Sequence, residues 1–150
     1  MKHLTVSILC MLLLTFGITA SAQKFSSDDL IGVWEPSHGK GRVKIEKIGD
    51  KYFGKVVWIK EPIDPETGEK KLDKSNPDPT LRKRKRLGLR VLQDFASNGN
   101  GYWDNGTIYD PETGTTYNCK ITMKNKNTLD IRGFVGVSVF GRTDTWKRVE

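Results

Sequence analysis

Short runs of alternating apolar and polar residues follow one another along most of the chain, and turn residues separate them. The clearest run places Tyr117, Cys119, Ile121 and Met123 on one face and polar residues on the other. Successive side chains of a strand point to opposite faces, so this spacing predicts half-buried β-strands. Strands are predicted at residues 30–35, 42–48, 52–60, 87–95, 102–109, 115–124, 128–135 and 138–149.

The composition of residues 23–150 supports an all-β fold. This part contains one alanine, Ala96, against nine valines, eight isoleucines and ten threonines. Alanine favours helices, whereas β-branched residues favour sheets. Eight strands with mostly short connections predict an antiparallel meander that closes into a barrel, with one short helix. A two-sheet β-sandwich is the alternative.

Residues 1–22 have the order of a secretory signal peptide: a basic start, an apolar run from Leu4 to Ile18, and Ala20-Ser21-Ala22 as a cleavage site. The apolar run is shorter than the ~20 residues of a membrane-spanning helix. We therefore expect a protein exported to the periplasm or secreted, with one domain at 23–150 and no transmembrane segment in the mature chain. Cleavage would remove Cys10 and leave Cys119 without a disulfide partner.

The strand pattern stops between residues 61 and 86. Pro62, Pro65, Pro77 and Pro79 exclude an interior strand there. Asp78 before Pro79 is a typical helix start, which predicts a long loop with one short helix at 79–85. The sequence Asp-Pro-Glu-Thr-Gly occurs at 64–68 and again at 110–114, and both copies are interpreted as hairpin turns.

The loop ends in a strongly basic segment. On a helix these charges would form a cationic patch able to dock onto an anionic envelope surface or a protein partner; a solvated positive face is the alternative. Nucleic acid is disfavoured because of the predicted export and because no aromatic residues are interleaved for base stacking. The candidate surface-binding residues are Arg82, Lys83, Arg84, Lys85, Arg86 and Arg90.

Four tryptophans lie on predicted strands and either form the core or line a ligand cavity within the barrel. In the last strand, charged residues share a face with Trp146, so they would pair with each other or hold a polar ligand group if Trp146 points inward. A small apolar or amphiphilic ligand is the favoured partner. The candidate ligand-binding residues are Trp34, Trp58, Tyr109, Tyr117, Arg132, Arg142, Asp144 and Trp146.

Residues for catalysis or metal binding are few. His38 is the only histidine after residue 22 and lies in a glycine-rich turn, while Cys119 falls on the inward face of its strand. Neither a nucleophile elbow nor a phosphate-binding loop nor a paired-cysteine metal site is present. We expect no cofactor, metal or catalytic residue. A hydrolase with scattered carboxylates is the enzymatic alternative.

Two resemblances sharpen these expectations. Gly32-Val33-Trp34, with Arg142 and Trp146 near the end, resembles the calycin pattern of lipocalins and avidins, in which a first-strand tryptophan packs beneath a late arginine. This pattern implies a barrel closed at one end.

The second resemblance covers nearly the whole mature chain. The motifs are similar to those of the bacterial domain-of-unknown-function family 2147. This resemblance implies a small exported bacterial protein with a lipocalin-like barrel and no established activity. The motifs that carry it are Gly32-Val33-Trp34, residues 73–77 running to Leu81-Arg82, residues 106–111 with Gly114 and Tyr117, Arg132-Gly133, and Gly141-Arg142 with Trp146.

Overall fold

Eight antiparallel strands pair in chain order, and the first also pairs with the last, so the sheet closes into a barrel. The computed structural model describes residues 24–150; the predicted signal peptide and Cys10 lie outside the described residues. The closed barrel is the favoured prediction from the sequence, and the sandwich alternative is wrong. The strands are β1 (Gly32–Glu35), β2 (Gly41–Ile48), β3 (Lys51–Ile59), β4 (Arg90–Gly99), β5 (Tyr102–Asp110), β6 (Thr115–Asn125), β7 (Thr128–Phe134) and β8 (Arg142–Arg148).

The meander gives the barrel two different ends. The connections that follow β1, β3, β5 and β7 lie at one end, here called the upper end, and include the long segment 60–89. The connections that follow β2, β4 and β6 are tight turns at the lower end. The chain enters β1 at the lower end through a single 3-10 turn, Ser27–Leu30, whose Ser26 cap accepts a hydrogen bond from the Asp28 amide.

Large aromatic side chains fill the lower part of the barrel. Trp34, Tyr52, Phe95 and Trp103 are almost completely buried, and the Tyr52 and Trp103 rings meet edge to face at 6.3 Å. Gly106 makes room for them, because a Cβ there would lie 2.5 Å from the Phe95 ring. The bulge expected at Gly106 is confirmed by a register shift between Trp103 and Gly106.

The segment 60–89 contains less helix than predicted. Asp78 caps its start as expected, but only Pro79–Leu81 forms a 3-10 turn, because the chain then returns to an extended bridge between Leu72 and Lys85. Two strands also begin later than predicted, β4 at Arg90 and β8 at Arg142. A turn at Gly88, with φ of 87°, precedes β4, and a 3-10 turn at Ser138–Phe140 precedes β8.

Among residues 24–150, no helix has both the length and the apolar character needed to cross a membrane.

Candidate functional site

Apolar side chains face the upper part of the barrel interior and are only half-buried. Ile108 lies opposite Leu92 on one side and Tyr117 on the other, and Val56 faces the same space. A Cβ on Gly133 would lie 3.5 Å from Ile108 Cγ2 and 3.6 Å from Tyr117 Cβ, so this glycine leaves space beside both residues. This upper part of the barrel interior is called the upper lumen, and the residues below it, among them Phe95 and Trp103, are buried.

Two polar groups accompany this apolar surface. The Asp144 carboxylate accepts a hydrogen bond of 2.8 Å from Trp146 Nε1, and both side chains point inward. Trp146 is 3% exposed and forms part of the floor, whereas Arg142 is exposed at the rim. Period-2 spacing predicts that an inward Trp146 brings Asp144 with it, and the structure places the two side chains together. The mouth therefore offers one acceptor and one cation to a ligand.

The lower end is sealed around Trp34. The Arg148 guanidinium lies 4.1 Å from the Trp34 ring centroid, and Trp34 Nε1 donates to the Leu30 carbonyl at 2.9 Å. Gly32 is required here because its φ is 150° and a Cβ would lie 2.7 Å from the Glu150 carbonyl oxygen, as well as 2.2 Å from Arg148 Nη1. The arginine above the first-strand tryptophan is thus Arg148; the choice of Arg142 was wrong, since Arg142 lies at the opposite end. Trp34 is fully buried and is not accessible to a ligand from the upper lumen.

Three other candidate ligand residues face outward. The register of β2 and β3 shifts at Arg42/Val43, which places Trp58 opposite Arg42 on the outer face, with the guanidinium 4.7 Å from the ring. Arg132 lies beside Thr143 on the outer face and binds the β7–β8 connection. Tyr109 is paired with Thr116 and points into the segment 60–89. None of the three lines the lumen, which corrects the sequence analysis.

Tyr109 belongs to a buried polar cluster that fixes the segment 60–89. Its hydroxyl donates to Asp73 Oδ1 at 2.6 Å, while Asn76 Nδ2 and Arg84 Nη2 each donate to Asp73 Oδ2 at 2.8 Å. Burial raises the pKa of Asp73, but the donors outweigh it and hold that pKa below its usual value. Burial raises the pKa of Tyr109, as does its bond to Asp73. The cluster stabilises the long connection against β5.

Some of the charged side chains in the basic segment are already bound to other groups of the protein. Arg82 Nε donates to the Asn76 carbonyl, Arg84 pairs with Asp73, and Arg86 contacts the Leu72 and Pro111 carbonyls and Glu112. Among residues 24–150, no ion pair involves Lys83, Lys85 or Arg90, and Arg90 stacks on Phe53 at 4.7 Å. Fewer than the six predicted charges are therefore available to bind an anionic surface.

Cys119 and His38 both have hydrogen-bond partners close by in the chain. Cys119 is buried, and burial raises the pKa of its thiol to about 12, against a weak hydrogen bond to the Lys120 carbonyl. His38 Nδ1 accepts a hydrogen bond from the Lys40 amide within its turn. In the described part of the chain, no group of three or more His, Cys, Asp or Glu is placed to hold a metal ion.

Two surface depressions lie outside the barrel lumen. One, of about 400 Å³, is lined by residues 127–128 and 147–150 near the lower end. The other, of about 420 Å³, is lined by Arg84, Lys85 and residues 87–90 at the upper end. Inside the barrel, Trp103 Nε1 is buried without an acceptor among residues 24–150.

The sequence matches a bacterial family, DUF2147, described as an uncharacterized protein conserved in bacteria, over residues 32–148. The chain belongs to this family. The match begins at Gly32, the first residue of β1, and ends at Arg148, the last residue of β8. Membership in DUF2147 confirms the family resemblance of the sequence motifs.

A solved structure supports the fold. Protein HP1028 from the human pathogen Helicobacter pylori, described as belonging to the lipocalin family, is similar to this DUF2147 chain with a TM-score of 0.69 and 25% identity. The alignment covers 81% of this chain and 83% of the Helicobacter pylori protein. No curated protein matches the sequence. The lipocalin-like barrel expected from the sequence is therefore confirmed.

Proposed function

We propose that this DUF2147 protein is exported and binds a small apolar or amphiphilic ligand at the mouth of its barrel. The observation that carries the proposal is the contrast within the lumen: Val56, Ile108 and Tyr117 are half-buried above a fully buried aromatic floor. An inward apolar surface that is reachable from one end is typical of small-molecule sites. The signal-like sequence of residues 1–22 supports export.

Asp144 and Arg142 define the polar end of the proposed ligand. Asp144 already holds the Trp146 indole through Oδ2, which leaves its other oxygen to accept a hydrogen bond from a ligand hydroxyl or amine. Arg142 is exposed at the rim and attracts an anionic group. The apolar part of an amphiphile then lies against Ile108 and Tyr117.

Fluorescence titration with N-phenyl-1-naphthylamine tests the proposal, together with native mass spectrometry of the protein as purified. We expect saturable binding of one probe molecule, weakened about tenfold or more by Gly133→Val, which fills the space beside Ile108 and Tyr117. Thr122→Val places the same valine side chain on the outer face, away from the lumen, and serves as the control. Thermal unfolding checks that both variants fold. Non-saturable binding, or equal affinity in both variants, would count against the site.

A further inference from the structure

Apolar side chains are strongly exposed on the connection between β7 and β8. Val135 and Val139 are each 72% exposed, Val137 is 59% exposed and Phe140 is 82% exposed. These residues, 135–140, are called the apolar tip. Contiguous exposed apolar groups of this kind mark contact with another apolar phase or molecule.

The fold holds the apolar tip in this exposed position. Arg132 donates from Nε to the Ser138 carbonyl at 2.8 Å, from Nη2 to the Val139 carbonyl at 3.1 Å, and from Nη1 to Thr143. Gly141 lets the chain pass close to β7, because a Cβ there would lie 2.5 Å from the Gly133 carbonyl oxygen. The backbone of the tip is thus tied to the barrel while its side chains project outward.

Another exposed apolar residue, Leu87, lies among cations on the opposite side of the barrel mouth. Leu87 is 47% exposed and lines the depression of about 420 Å³ together with Arg84, Lys85 and Arg90. Lys83, just before them in the chain, is also exposed. This cationic side therefore combines a positive surface with an apolar contact.

Both features lie at the upper end, on opposite sides of the barrel mouth. The apolar tip connects β7 to β8 and the cationic side precedes β4, and three strands, β5 to β7, separate β4 from β8 in the closed order. The two features therefore flank the mouth at the same end of the barrel.

We propose that the upper rim docks onto a lipid bilayer that carries anionic head groups. The Phe140 and valine side chains of the apolar tip enter the interface, while Lys83 and Lys85 bind lipid phosphates. Apolar burial combined with electrostatic attraction is the physical basis of reversible binding to anionic bilayers. The proposal does not depend on a ligand in the lumen, although docking would turn the mouth toward the lipid.

Co-sedimentation with vesicles of phosphatidylglycerol and phosphatidylcholine tests the rim. Phe140→Ser should weaken binding about tenfold, whereas Ile48→Ser, which removes a 51% exposed side chain at the lower end, should leave it unchanged. The double variant Lys83→Gln with Lys85→Gln should lower the affinity for these vesicles and make that affinity less sensitive to salt. Lys51→Gln with Lys124→Gln, which alters the same charge at the lower end, should have a smaller effect.

Every variant carries the same N-terminal segment, whose processing is checked by intact mass, so differences report the substituted residues. Direct insertion is measured with Phe140→Trp, whose emission should be quenched by brominated lipid, unlike that of Ile48→Trp. Equal binding by Phe140→Ser and Ile48→Ser would overturn the proposal. A second outcome would also overturn it: the wild type fails to bind vesicles but self-associates, and Phe140→Ser abolishes this self-association. The apolar tip would then contact a second copy of the chain.

Discussion

The Arg148 guanidinium covers the Trp34 ring at 4.1 Å and binds three backbone carbonyls, of Asp29, Ile31 and Lys126. Burial lowers the pKa of Arg148, and Asp29 opposes this effect. One side chain thus joins the entry to β1, the β6–β7 turn and β8. The barrel is closed at this end by an arginine rather than by a disulfide.

Arg148→Ala should therefore destabilise the barrel strongly. The variant loses a stacked cation and leaves carbonyls near the barrel floor without their donor, so we expect a loss of about 2–4 kcal/mol in the free energy of unfolding. Urea denaturation followed by tryptophan fluorescence measures it. Arg142→Ala, at the open rim, is the matched control and should change stability by less than about 0.5 kcal/mol. Equal losses would mean that closure does not depend on Arg148.

A second prediction concerns the buried carboxylate of Asp73. Asp73→Asn turns an acceptor of three side-chain donors into a group that carries donors itself, and we expect a loss of about 3 kcal/mol at pH 7. Hydrogen exchange should show earlier opening in residues 62–89. Asp50→Asn, in the exposed β2–β3 turn, is the control and should behave as wild type.

The effect of Asp73 should also depend on pH. Its pKa in the folded protein lies below the usual value of 3.8, so its contribution is fully present above that value and is lost as the pH falls through the folded pKa. The difference in stability between wild type and Asp73→Asn should therefore shrink below about pH 4. A constant difference between pH 7 and pH 3 would contradict this assignment.

The strands were predictable because the information for them is local. The alternation of apolar and polar residues specifies each strand. In β6 it correctly predicts that Tyr117 and Cys119 point inward. The contact of Arg148 with Trp34 was not predicted, because this local alternation does not show which strands pair. Arg142 and Arg148 share a face under that spacing, and only the pairing of β1 with β8 shows which one lies above Trp34.

The candidate site was predicted less well, because its errors depend on long-range structure. The run around Trp58 is apolar on both faces, so alternation could not reveal the register shift that turns Trp58 outward. Tyr109 is buried because the segment 60–89 folds over it, a contact with Asp73 across 36 positions. Within the exposed tip, residue 135 and residues 138–140 were predicted as strand, since valines suit a sheet.

The Cys119 thiol should be unreactive in the folded protein. With a pKa of about 12, roughly one thiol in ten thousand is ionised at pH 8, and the sulfur is also buried. In a Cys10→Ser background, Ellman's reagent should modify no cysteine under native conditions and one after unfolding in guanidinium chloride. Rapid modification of the native protein would show that β6 opens readily.

The repeated Asp-Pro-Glu-Thr-Gly turns permit a comparison of identical sequences in different surroundings. Gly68 and Gly114 have almost the same φ, 70° and 72°, but nothing lies within 4 Å of a Cβ at Gly68, whereas a Cβ at Gly114 would lie 1.8 Å from the Ser75 carbonyl oxygen. Gly68→Ala should therefore lower the free energy of unfolding by only ~1 kcal/mol, the cost of placing alanine in the left-handed backbone region. Gly114→Ala must also displace the backbone of the segment 60–89, and we expect a loss of at least about 3 kcal/mol. Equal losses in chemical denaturation would mean that the segment is not packed against the β5–β6 turn.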